Sequence, residues 1–112
     1  ATDCPGCINE MPELINTYNN YNKQNFEVIA VAMFYDPPNR VLSFAKAKNL
    51  PFPVVLDIEK KIMNNFNDIK LTPTSILIDH KGKIVNTIIG EINFLEFNRN
   101  LEVLLKKANE RS

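Results

Sequence analysis

Two cysteines three positions apart, Cys4 and Cys7, are the residues of this chain whose type and spacing most readily do chemistry. A disulfide between them closes a loop of about four residues, and loop-closure entropy makes that roughly 1.8 kcal/mol less stabilising than closing about thirty. The pair is a poor staple. At a helix start the same spacing exposes the first thiol at the tip and turns the second toward the helix body. Free backbone N–H groups and the positive end of the helix dipole favour a thiolate there. Cys4 is therefore the expected nucleophile and Cys7 the resolving thiol. Lowering a thiol pKa from about 8.5 to about 7 raises its thiolate fraction at neutral pH ~16-fold, and the accompanying fall in nucleophilicity takes back about fivefold. A net gain of about threefold leaves the larger effects to alignment and to a second sulfur held at hand. On the residues alone, metal binding and inert thiols stand beside redox chemistry.

The elements that must position this pair follow from periodicity. Ile8, Met11, Leu14, Ile15, Tyr18 and Tyr21 recur at helical steps from Pro5 onward, with Pro12 inside the helix and expected to kink it. The apolar run from Phe26 to Phe34 predicts a strand covered on both faces and central in a parallel sheet. Asp36-Pro37-Pro38 stops it and presets a helix over about 39–48. Val54 to Leu56 predicts a short strand, and 58–66 a short helix turning Ile62, Met63 and Phe66 inward. Ser75 to Ile78 and Ile84 to Ile89 flank Asp79-His80-Lys81-Gly82-Lys83, a hairpin turn with Gly where positive φ is needed. Asn93 and Glu96 form a capping box ahead of a last helix that buries Phe97, Leu101, Leu104, Leu105 and Ala108. Helix, strand, helix, strand, helix, hairpin, helix gives an α/β domain with a mixed sheet, parallel first and antiparallel at one edge.

Composition narrows the function classes. With 112 residues there is room for one domain, 1–112. Thirteen basic and thirteen acidic residues are scattered, so nothing attracts nucleic acid or anionic lipid at long range. No apolar stretch approaches the length that spans a bilayer. The sixteen asparagines read as compositional drift on an amide-rich surface. Opening on Ala1-Thr2-Asp3-Cys4, the chain carries no initiator Met and no apolar leader, which fits a cleaved or deleted N-terminal segment.

Cys4-Pro5-Gly6-Cys7-Ile8-Asn9-Glu10-Met11-Pro12 resembles the CPxCxxEMP stretch of the TlpA-like, ResA-type branch of the thioredoxin superfamily. The likeness continues through 26–32 with Asp36-Pro37-Pro38, Leu50 to Asp57, Leu71-Thr72-Pro73-Thr74, Ile76 to Asp79 and Gly82 to Val85, in that family's order. It implies a thioredoxin-like fold, a mixed sheet flanked by helices, and a thiol–disulfide oxidoreductase that acts on protein dithiols without a cofactor or small-molecule partner. It also implies a cis bond before Pro73 that sets the Thr72 backbone beside Cys4 to pair with an extended substrate strand. A periplasmic or membrane-tethered setting is implied as well, with a membrane electron donor and cytochrome c maturation as a client pathway, the protein acting as a reductant.

Three departures from the family pattern matter. Asp3 stands where Trp is common and should raise the Cys4 pKa. Asp36 is the nearest candidate for a buried acid facing the cysteines, or is only a polar stop before Pro37. Glu10, by contrast, matches the family's motif position one turn past Cys7 and is a candidate proton relay or an exposed surface Glu. Finally, the apolar strand that runs into the CxxC in this fold is reduced to Ala1 and Thr2, so the sequence reads as a fragment whose sheet lacks its middle strand, which would leave unpaired backbone and two half-cores.

Two rival activities remain at this level. A copper- or zinc-binding module could use the CxxC with His80, although His80 sits in a turn and no fourth ligand is evident, so no metal is expected. A peroxiredoxin-like peroxidase needs one cysteine in a Pro/Thr-lined pocket rather than a resolving thiol three residues on. A fold-only relative in a binding role is disfavoured by intact Cys4, Cys7 and Pro73.

Overall fold

The computed structural model describes residues 1–110. Helix α1 (Pro5–Tyr21) leads through a 3-10 turn (Asn22–Gln24) to β1 (Ala30–Ala32), α2 (Pro38–Ala47), β2 (Val54–Leu56), α3 (Lys61–Asn65), the hairpin β3 (Thr74–Ile78) and β4 (Ile84–Ile89), and α4 (Phe94–Asn109). The order is the one the periodicity predicts. Helix α1 runs on through Pro12, whose ring is exposed.

The sheet is divided, as expected of a chain that lacks the strand between its two halves. Instead of one mixed sheet there are two ladders, β1–β2 parallel and β3–β4 antiparallel. The strand expected to be central, β1, pairs only with β2. Its length is set by that partner: Pro53 has no N–H to donate and accepts from Ala30 N, and Asp57 N closes the ladder on Ala32 O before the chain turns into α3. Three of the nine residues from Phe26 to Phe34 therefore form ladder, and Ile29 is left 63% exposed. Among the described residues no strand lies between the two ladders.

Helix α1 spans both halves. Toward the hairpin half, Thr17 Oγ1 donates to Asn98 Oδ1 of α4 at 3.0 Å, and Glu10 Oε2 accepts from Ile92 N at 3.0 Å. Toward the other half, Tyr18 meets Phe52 edge-on with ring centroids 5.6 Å apart. Its predicted apolar face, Ile8 to Tyr21, is half-buried throughout, because flanking it on both sides takes a wider contact than one stripe supplies. The residues of α1 that are fully buried are polar, Glu10 and Thr17.

The apolar core lies under the hairpin. Phe26, Ile92, Phe97, Leu101 and Leu105 form one buried cluster, with Leu77 and Ile88 packed on it from β3 and β4. Alternation along the hairpin places these inward side chains on one face. The hairpin turn is stiffened by Asp79, whose Oδ1 accepts from the backbone N–H of both Lys81 and Lys83, and by Gly82 at φ 83°. In α3 the two carboxylate oxygens of buried Asp57 accept from Ile62 N and Met63 N, which anchors a five-residue helix too short to stand alone.

The asparagines are not drift everywhere. Asn25, Asn49 and Asn67 hold φ of 71°, 51° and 65° at the ends of elements, where Asn tolerates the left-handed region better than other non-glycine residues.

Candidate active site

The N-terminus of α1 is built by its own reactive residue. Cys4 is the N-cap, in extended conformation, and its Sγ accepts from Cys7 N at 3.2 Å. Pro5 comes next, at the first helical position, where its missing N–H costs nothing. Both cysteines are free and half-buried.

Opposite them stands the Thr72–Pro73 peptide, in the cis form. Its approach explains Gly6: a Cβ built there would lie 3.1 Å from Pro73 Cδ and 3.3 Å from Glu91 Cγ. The Pro73 carbonyl is held by Gly90 N at 2.8 Å, and Gly90 takes φ 95°, so the loop after β4 turns back and brings Glu91 to the same spot.

The two thiols are unequal. Desolvation pushes the Cys4 thiol up, but hydrogen bonds from the Cys7 thiol, the Thr72 hydroxyl and the Cys7 backbone N–H outweigh it. The pKa falls below the ordinary thiol value. Cys7 moves the other way, because desolvation and its own hydrogen bond to Cys4 both favour the protonated form. The outer sulfur thus ionises first while the inner one keeps its proton, the order that attack followed by resolution requires. The expected upward push from Asp3 is not among the influences on Cys4. Asp3 is exposed, and water dissipates its charge.

Glu10 is buried, so the reading of it as an exposed surface residue is wrong. Burial raises its pKa, the Ile92 N–H opposes that rise, and the negative charge of Glu91 adds to it. It lies three residues past Cys7, hence on the same helix flank. Asp36 is also buried, at 6% exposure, but both of its oxygens are occupied: Oδ2 accepts from Thr2 N at 2.7 Å and Oδ1 from Thr2 Oγ1 at 2.6 Å. It does not figure among the groups acting on either thiol. His80 is exposed in the hairpin turn, and among the described residues no group of three or more His, Cys, Asp and Glu could hold a metal ion.

The structure brings Cys4, Cys7, Thr72 and Pro73 together, the residues that sequence reasoning singled out, and adds Thr2 and Glu91, which it did not. Thr2 carried a weak signal in its position two residues ahead of the first cysteine. Glu91 had one in its place next to a glycine directly after a strand.

A family model described as Redoxin matches residues 1–102. Among curated proteins, the thiol-disulfide oxidoreductase ResA of Geobacillus kaustophilus is 35% identical over 91% of this chain and 58% of its own length. The sporulation thiol-disulfide oxidoreductase A of Bacillus subtilis is 34% identical over 78% of this chain and 53% of its own. The chain therefore spans a little over half the length of these relatives. Among solved structures, a protein of Neisseria meningitidis superposes with a TM-score of 0.87 at 38% identity, over 94% of this chain and 69% of that one. StoA of Bacillus subtilis superposes with a TM-score of 0.76 at 29% identity, over 88% and 74%.

Proposed function

The chain belongs to the Redoxin family, and from that membership we propose that it is a thiol–disulfide oxidoreductase that reduces disulfides in proteins through Cys4 and Cys7. The observation that carries this is the unequal thiol pair at the mouth of α1, the Cys4 pKa lowered and that of Cys7 raised, with Thr72 acting on both. The Cys4 thiolate attacks one sulfur of a client disulfide and expels the other as a thiolate, forming a mixed disulfide. Cys7 then gives up its proton, attacks Cys4 Sγ and releases the second client sulfur. Two electrons pass to the client, and Cys4–Cys7 is left as a disulfide.

In this reading Glu10 takes the Cys7 proton: it is buried on the same helix flank, and burial raises its pKa. Thr72 and Pro73 form the seat for an extended client segment, the Thr72 backbone pairing with it as an added strand. The setting is the bacterial periplasm, in a protein tethered to the membrane, with a membrane electron donor restoring the dithiol and cytochrome c maturation as a client pathway. Support for that setting is the likeness to ResA, and no helix among the described residues is long and apolar enough to cross a membrane.

Equilibration of the protein with glutathione redox buffers tests the proposal, the Cys4–Cys7 disulfide being quantified by mass. A potential nearer about −270 than about −120 mV supports a reductant. A potential near the upper value overturns that direction, and failure to form the disulfide overturns the mechanism.

A further inference from the structure

We propose that Asp36 and Thr2 form a clamp that positions Cys4, Asp36 acting on the thiol through Thr2 rather than as a proton carrier. The inference rests on the reading of Cys4 as the attacking sulfur. Thr2 gives Asp36 both its backbone N–H and its hydroxyl, at 2.7 and 2.6 Å, across 34 residues of chain. Asp36 is fixed in turn: its own N–H is held by Met33 O at 3.0 Å at the end of β1, and Pro37 and Pro38 stiffen the chain on its other side. A two-point grip on one residue sets both the place and the orientation of the segment, since charge-assisted hydrogen bonds to a carboxylate are short and directional.

The clamp holds the approach to the cap. Cys4 N donates to Ala1 O at 3.1 Å, and Cys4 O accepts from Ile8 N at 3.1 Å, so Cys4 is tethered between the clamped segment and α1. Its Sγ can accept from Cys7 N only if the residues before it enter the helix along this line. Both Asp36 oxygens accept from Thr2, and Asp36 is not among the groups acting on either thiol. A buried carboxylate that grips the residue two before Cys4 in this way is a positioning group.

Peptide-resolved alkylation of Cys4 with iodoacetamide as a function of pH tests the clamp, with folding followed by circular dichroism. Thr2→Val removes the hydroxyl and keeps the side-chain shape, Thr2→Ser keeps the hydroxyl, and Asp36→Asn removes the charge. The clamp predicts that Thr2→Val and Asp36→Asn each shift the Cys4 profile to higher pH and slow alkylation at pH 7 about threefold, the smaller thiolate fraction being partly offset by greater nucleophilicity. Thr2→Ser should keep the wild-type profile. If both variants fold and leave the profile unmoved, the clamp does not position Cys4. If Asp36→Asn moves it and Thr2→Val does not, the carboxylate acts directly and the proposal is equally overturned. Alkylation needs no client protein, so this outcome is independent of the glutathione equilibrium that tests the oxidoreductase reading.

Discussion

Both long helices of this protein begin with the same device and use it to opposite ends. At α4 the Asn93 side chain accepts from Glu96 N at 3.4 Å, and at α1 the Cys4 sulfur accepts from Cys7 N at 3.2 Å. Asn93 is a good cap that carries no reactive atom, and it starts a helix whose buried face, Phe97, Leu101 and Leu105, is the apolar core. Cys4 is a weak cap as a neutral thiol and a strong one as a thiolate. Its helix buries Glu10 and Thr17 where α4 buries leucines. One end of the molecule spends its cap on stability and the other on easing the ionisation of a sulfur, so the cost of a substitution should separate cleanly into unfolding at one end and loss of chemistry at the other.

The widest separation is expected from Cys4→Asn. An amide at this position caps α1 as Asn93 caps α4, so the urea midpoint stays at or above wild type while reduction of a protein disulfide is abolished. A marked loss of stability would show that Cys4 is not merely a cap with added chemistry. Cys7→Ser should stop turnover yet leave one attack intact, and mass spectrometry of the reaction should find client joined to Cys4.

At the other end, Leu101→Ala should cost about 2–5 kcal/mol in denaturant unfolding, because Leu101 is 2% exposed at the centre of the apolar cluster. The Cys4 alkylation profile should not move. Asn93→Ala should cost about 1 kcal/mol with the same silence at the thiol. A shift in Cys4 reactivity in either variant would break the division.

The smallest effect is a slope. The folded pKa of Glu10 is raised, so its contribution to stability is fully present below the ordinary value of 4.5 and is lost as pH rises through the folded value. Glu10→Gln should remove that decline, making the variant less pH-sensitive than wild type over the acid-to-neutral range. Parallel stability curves would show that burial of Glu10 does not set this slope. Cys4 runs with the opposite sign: its lowered folded pKa gives stability that is absent below that value and complete above the unfolded one.

Local signals carried most of this far. The CxxC, the Asn93 cap, the glycine of the hairpin turn and the Thr72-Pro73 dipeptide were legible because each acts within a few residues. Features set by distant partners escaped. The run from Phe26 to Phe34 reads as a long strand, yet its ladder is only as long as β2, which is pinned between Pro53 and Asp57. Glu10 reads equally well as surface or site until Ile92, 82 residues on, is found donating to it. Thr2 and Asp36 look unrelated in the sequence because neither a motif nor a period links residues 34 apart.

The two residues between the cysteines do not have the same freedom to change. Pro5 is exposed, whereas any side chain at Gly6 must push back the Pro73 ring or the Glu91 stem, at 3.1 and 3.3 Å from where its first carbon would sit. In a library randomised over this dipeptide, diversity should be wider at the first letter than at the second, where each side chain needs Pro73 and Glu91 to give way. Evolution or an engineer tuning the centre therefore has more room at the first position between the sulfurs.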